Sequence, residues 1–276
     1  MLKLAFGDDR FFVPVVRAGS DLSINGGQGA DRYYVSSDAS KQLFSGEGFF
    51  DDDVNPLGRL QGSLDTIEGT VTVNTGLGGN QGTRDSIYLS AAGAAASLDG
   101  TLENSVITGL GMTESVSFTT VEGTSLSVRL GDFSDTFRIK DLVTDVVVRV
   151  RGGAEADTLT VASDADRLNG INGIVAFLGE DGDDTLNVHG DGPLSSPGLL
   201  SAISVTGLEM GTNSLYSVHD AFGAILNPEC AVTGDCPGAI YFGQRVGFGN
   251  EYSSTVETVN VILGGNDDKL QVDSLD

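Results

Sequence analysis

The strongest constraint on the fold is a stretch written twice between residues 146 and 188. Val147-Val148-Arg149-Val150-Arg151-Gly152-Gly153-Ala154-Glu155-Ala156-Asp157-Thr158-Leu159-Thr160-Val161 is followed by Ile174-Val175-Ala176-Phe177-Leu178-Gly179-Glu180-Asp181-Gly182-Asp183-Asp184-Thr185-Leu186-Asn187-Val188. Each copy is an apolar or β-branched run, a Gly/acid turn, an Asp, and a second run alternating apolar residues with Thr or Asn, which is a strand–turn–strand signature. A unit that repeats in this way predicts a stacked fold, because one copy alone has no partner for its apolar face.

The pattern Asp, any residue, apolar, any residue, apolar occurs at Asp31-Tyr33-Val35, Asp85-Ile87-Leu89, Asp135-Phe137-Ile139, Asp157-Leu159-Val161, Asp184-Leu186-Val188 and Asp268-Leu270-Val272. Residues two apart in a strand share a face, so each Asp is expected to begin the face that the core residues continue. A carboxylate at the lip of a core costs several kcal/mol unless backbone N–H donors or a cation meet it.

The intervals between these six Asp residues are 54, 50, 22, 27 and 84 residues. One coil of 22–27 residues, with two or more coils in the longer gaps, accounts for the first four. For the last, Gly109-Leu110-Gly111-Met112 precedes Val121-Glu122 as Gly207-Leu208-Glu209-Met210 precedes Val256-Glu257, with Met-to-Glu intervals of 10 and 47. Removing the difference of 37 leaves 84 − 37 = 47, close to the earlier 50, and assigns residues 211–254 as a loop insertion. A third echo, Ile67-Glu68, precedes the Asp85 turn, so a higher-order repeat is expected. Residues 91–108 are expected to be a small-residue loop, since Gly93 and the lack of apolar periodicity argue against a helix. The fold class expected is all-β: a right-handed parallel β-solenoid spanning residues 1–276 as one unit. Its rival is an antiparallel β-sandwich.

Gly26-Gly27-Gln28-Gly29-Ala30-Asp31-Arg32-Tyr33-Tyr34 matches the nonapeptide Gly-Gly-x-Gly-x-Asp-x-apolar-x along its full length. It resembles the repeat of the RTX (hemolysin-type calcium-binding) family, secreted bacterial proteins whose repeats wind around calcium ions. Gly152–Thr160 and Gly179–Asn187 each depart once, with Glu155 and Glu180 in place of a Gly. The turns at Gly131–Asp135 and Gly264–Asp268 are a residue shorter. Family repeats follow one another without a gap, whereas here single motifs are spaced by whole coils, which favours a wider solenoid. The resemblance implies Ca2+ at the turns, with Asp31, Asp157, Asp183, Asp184, Asp267 and Asp268 as the candidate ligands; the adjacent pairs Asp183/Asp184 and Asp267/Asp268 repel unless a cation intervenes. The alternative is that each Asp accepts hydrogen bonds from its own turn.

Net charge of −24, from 15 Lys+Arg against 39 Asp+Glu, excludes a nucleic-acid footprint. No apolar run reaches membrane-spanning length. Cys230 and Cys236 are expected to pair as a disulfide holding the insertion, as suits an extracellular protein. No nucleophile–base or phosphate-loop motif occurs, so the expected function is non-enzymatic: an adhesin-type or structural module of an extracellular or cell-surface protein. Its expected partners are glycans or matrix components and neighbouring repeats of a longer chain. Polysaccharide binding or cleavage by paired carboxylates, and a metal-free structural solenoid, are the alternatives.

Overall fold

The computed structural model describes residues 2–3, 7–44, 56–78, 85–119, 124–191, 197–213, 236–246, 251–264 and 269–272. Alternation of apolar and polar residues produces short strands with one buried face. The burial of Arg10–Val13, Thr70–Asn74, Thr158–Val161 and Thr185–Gly190 alternates residue by residue. Each inward Val, Leu, Ile or Phe contributes about 1.5–3 kcal/mol.

Twenty of these strands form two ten-stranded sheets. In chain order they are β1 Leu2–Lys3, β2 Arg10–Val13, β3 Asp21–Asn25, β4 Arg32–Val35, β5 Thr70–Asn74, β6 Ser86–Ser90, β7 Asp99–Glu103, β8 Val106–Gly109, β9 Val116–Thr119 and β10 Ser125–Arg129. The second ten are β11 Thr136–Ile139, β12 Val147–Gly153, β13 Thr158–Val161, β14 Ile174–Glu180, β15 Thr185–Gly190, β16 Gly198–Leu200, β17 Ser204–Thr206, β18 Ala239–Tyr241, β19 Thr258–Leu263 and β20 Leu270–Val272. Sheet one runs β1-β3-β5-β9-β8-β7-β11-β13-β15-β19, and sheet two β2-β4-β6-β10-β12-β14-β18-β17-β16-β20. The chain therefore passes back and forth between the sheets, adding strands to each in turn. Within them only β8 and β17 run against their neighbours. The strands are stacked with like residues in register: Thr136, Thr158, Thr185 and Thr258 form one row, Phe137, Leu159, Leu186 and Val259 the next. One hydrophobic cluster draws on the inward faces of both sheets.

Two regions expected as loops carry strands. Asp99–Glu103 and Val106–Gly109 form a hairpin inside sheet one. Its two-residue turn, Asn104-Ser105, has φ of 51° and 59°, the left-handed pair that matches strand twist. Small residues hid this hairpin from a periodicity test, since Gly100 supplies no side chain to its inward row. Within residues 211–254, β18 lies in sheet two between β14 and β17, with Ala239 and Ile240 fully buried. No helix among the described residues is long and apolar enough to cross a membrane.

Candidate functional site

At the corners where the chain turns into a strand, regular sheet pairing runs out and the backbone N–H before the strand needs another acceptor. The repeated Asp supplies it from the turn before the adjacent strand. In the first series, Asp9 N–H donates to Asp31 Oδ1 at 2.9 Å and Asp31 N–H to Asp85 Oδ1 at 2.8 Å. In the second, the N–H groups of Leu98, Asp135 and Asp157 donate to Oδ1 of Asp135, Asp157 and Asp184 at 2.6, 2.8 and 2.8 Å. Asp184 N–H closes that series on Glu257 Oε2 at 2.7 Å. The Asp carbonyls continue the rows, accepting from Thr158, Thr185 and Thr258 N–H at 2.8–3.0 Å. Carboxylate and carbonyl together thus form two ladders along the stacking direction. The first leads into sheet two and the second into sheet one.

Asp31, Asp85, Asp135, Asp157 and Asp184 are all buried. Their other oxygens differ. Asp135 Oδ2 accepts Gly131 N–H at 2.6 Å. Oδ2 of Asp31, Asp157 and Asp184 is buried with no hydrogen-bond partner. It lies against the glycine five residues back: a Cβ built on Gly26, Gly152 or Gly179 would fall 1.9, 2.5 or 2.1 Å from it. The first glycine of the motif therefore makes room for the carboxylate.

Loss of water pushes all five carboxylates up in pKa, against the lowering effect of their N–H donors. Asp85 rises to about 6 and Asp157 to about 7, with the charges of neighbouring ladder Asp residues adding to burial. A proton on Oδ2 removes the buried charge and turns the unpartnered acceptor into a donor.

Of the calcium candidates, Asp31, Asp157 and Asp184 occupy the ladders, while Asp183 faces solvent. Asp267, Asp268 and Cys230 lie outside the described residues; Cys236 begins a short strand paired with Thr212–Asn213. Calcium takes six to eight oxygens. Asp31, Asp157 and Asp184 each already spend one oxygen on an N–H and turn the other against glycine, and Asp135 spends both oxygens on N–H groups. No group of three or more His, Cys, Asp or Glu suited to a metal occurs among the described residues.

Four members of the ladders escape a search by family motif. Asp85 and Asp135 carry the strand pattern without a full nonapeptide, and Asp9-Phe11-Val13 fits the same pattern immediately before Pro14. Glu257 is signalled only by the Val256-Glu257 echo.

A second polar cluster lies on the outer face of sheet one. Lys140 Nζ meets Glu103 at 3.1 Å and Asp164 at 3.0 Å, and Asp166 meets both Arg138 and His189 Nδ1 at 3.5 and 3.4 Å. Arg138 also donates to the carbonyls of Ala162 and Ser163 at 3.1 and 2.6 Å, so it fastens the loop after β13. Each cation here is engaged by carboxylates or carbonyls of its own chain. No protein-family model, curated protein or solved structure matches the chain.

Proposed function

We propose that this chain is a non-enzymatic structural module, a right-handed parallel β-solenoid segment of an extracellular or cell-surface protein, whose coils are locked together by protonatable carboxylate ladders. The observation that carries this reading is the chain of N–H to carboxylate bonds from Leu98 through Asp135, Asp157 and Asp184 to Glu257. These carboxylates are buried and committed to their own backbone, which suits architecture better than sugar cleavage. The acidic composition and the glycine-rich turns support placement outside the cell.

The experiment compares thermal melts of the wild-type chain and Asp157→Asn in chelator, in millimolar calcium and in magnesium. Asparagine keeps the acceptor for Asp135 N–H and removes the buried charge, so the variant should melt at or above the wild-type temperature at pH 7. Calcium should leave both unchanged. A calcium-specific rise in the wild type that Asp157→Asn abolishes would replace the self-capped ladder with a metal-linked one.

A further inference from the structure

The loop between β13 and β14 carries the sequence Leu168-Asn169-Gly170-Ile171-Asn172-Gly173. An Asn followed by Gly holds an electrophile beside a nucleophile. The Gly backbone nitrogen can reach the Asn side-chain amide carbon, and the Gly has no Cβ to screen that approach or to restrict the backbone rotation it needs. The chain contains three such pairs, Asn25-Gly26, Asn169-Gly170 and Asn172-Gly173.

Two of the three are held by the fold. Asn25 ends β3, and Gly26 is buried with its N–H donating to the Asn74 carbonyl at 3.4 Å. Gly173 is buried as well, and the Asn172 side chain is pinned: Nδ2 donates to the Gly170 carbonyl at 3.3 Å, and Oδ1 lies 1.7 Å from where a Cβ on Gly211 would stand. Asn169, by contrast, is exposed, and Gly170 is half-buried. They are the central residues of a turn closed by Ile171 N–H, which donates to the Leu168 carbonyl at 2.9 Å. Among the described residues, the Asn169 carbonyl, the Asn169 side chain and the Gly170 N–H have no hydrogen-bond partner. The peptide unit between Asn169 and Gly170 can therefore rotate toward the side-chain amide without breaking a hydrogen bond.

We propose that Asn169 is a site of spontaneous modification, converting to aspartate and isoaspartate through a cyclic imide formed with Gly170. The Gly170 nitrogen gives its proton to hydroxide and bonds to Asn169 Cγ; the bond from Cγ to Nδ2 breaks, and ammonia leaves with a proton from water. Water then opens the imide. Cleavage between Cγ and the nitrogen restores the original backbone with a carboxylate on the side chain. Cleavage between the main-chain carbonyl carbon and the nitrogen leaves the backbone running through Cγ, one methylene longer. That lengthening falls between two buried residues, Leu168 and Ile171. Around them, Leu142 N–H donates to the Gly170 carbonyl at 2.9 Å, Asn172 N–H to the Leu142 carbonyl at 2.8 Å and Gly211 N–H to the Ile171 carbonyl at 2.9 Å. An added methylene displaces part of this seating, so the isoaspartate form is the less stable one.

Peptide mapping by mass spectrometry tests this on the intact chain held at mildly alkaline pH and physiological temperature, with isoaspartate read by enzymatic methyl labelling. A synthetic peptide of residues 166–175 gives the rate without the fold. Asn169 should convert roughly tenfold or more faster than Asn25 and Asn172, whose buried glycines react only after local opening. Asn169→Gln should remove the fast conversion. Gly170→Ala, whose Cβ would have Asp141 Cβ at 3.2 Å as its nearest neighbour, should slow it several-fold. The isoaspartate fraction, separated by ion exchange, should melt below the unmodified chain, whereas Asn169→Asp, which keeps the backbone length, should not. Equal conversion at all three pairs would mean that attack follows global unfolding and overturns the proposal. So does an Asn169 that stays intact while the peptide converts. Either result leaves the structural module standing.

Discussion

The turn before Asp135 and the turns before Asp157 and Asp184 do the same job with one residue of difference. In the shorter turn, Gly131 N–H reaches Asp135 Oδ2, and both carboxylate oxygens are satisfied. In the longer turns the glycine presents its Cα instead, and Oδ2 is left buried without a donor. One extra residue thus converts a fully hydrogen-bonded carboxylate into a half-paired one, while loss of water raises the pKa in both kinds of turn. Glycine is required in the longer turns for space, and hardly required in the shorter one: a Cβ on Gly131 would meet Asp135 Oδ2 at 3.1 Å and nothing nearer.

The largest effect that tests this contrast is a pair of alanine substitutions. Gly179→Ala places a Cβ 2.1 Å from Asp184 Oδ2 and 2.3 Å from the Thr255 carbonyl, and the backbone contact has no rotamer to yield. It should cost on the order of 3–4 kcal/mol in urea unfolding, against about 1 kcal/mol for Gly131→Ala. Equal costs would remove the distinction between the turns.

Next in size is the response to pH. Folded-state pKa values of about 6 for Asp85 and about 7 for Asp157 lie above the ordinary carboxylate value of 3.8. Between these limits the folded chain holds protons that the unfolded chain has released, so stability is full below about pH 4 and falls as pH rises through 6 and 7. At about 1.4 kcal/mol per pKa unit the two shifts give about 5 kcal/mol between pH 4.5 and pH 8, and solvent screening brings the expected drop in unfolding free energy down to roughly 3 kcal/mol. Asp157→Asn should flatten that slope, and stability that rises with pH over this window would refute proton storage in the ladder.

Smaller again is the ladder bond itself. Asp157→Ala leaves the buried Asp135 N–H without its 2.8 Å acceptor and should cost about 2 kcal/mol. Asp157→Asn, which retains the acceptor, should stay within about 1 kcal/mol of wild type at pH 7. The difference between the two isolates the hydrogen bond from the charge.

Much of this was legible in the sequence. A period of two fixed which residues point inward, so the burial of Asp31, Asp85, Asp135, Asp157 and Asp184 could be read from their place in the pattern. The Gly-Leu-Gly-Met and Gly-Leu-Glu-Met echo marked two segments of matching left-handed backbone, though not the hairpins that precede them. What the pattern did not contain was the partner of each Asp, which lies 22 to 54 residues away along the ladders. Local spacing says that a carboxylate needs a donor or a cation, and both answers produce the same glycine-rich turn. Nor could periodicity show that the chain alternates between two sheets, because an inward face reads alike in either sheet.

The smallest expected effect separates the two glutamates that stand in place of motif glycines. Glu155 and Glu180 both hold positive φ, 65° and 77°, a conformation that costs an L-residue about 1–2 kcal/mol. Glu155 is exposed, and no hydrogen bond or ion pair of its side chain among the described residues offsets that strain. Glu180 is bonded to the Arg151 guanidinium and stands in register with Gly153, which has φ of 128°. Glu155→Gly should therefore raise stability by about 0.5–1 kcal/mol, after the entropy cost of the glycine. Glu180→Gly relieves the same strain but loses a partly buried ion pair, so it should bring no gain. Urea midpoints of the two variants, measured at one pH, decide whether the second substitution is tolerated for its salt bridge; an equal gain in both would mean that the Arg151 contact adds nothing to the turn.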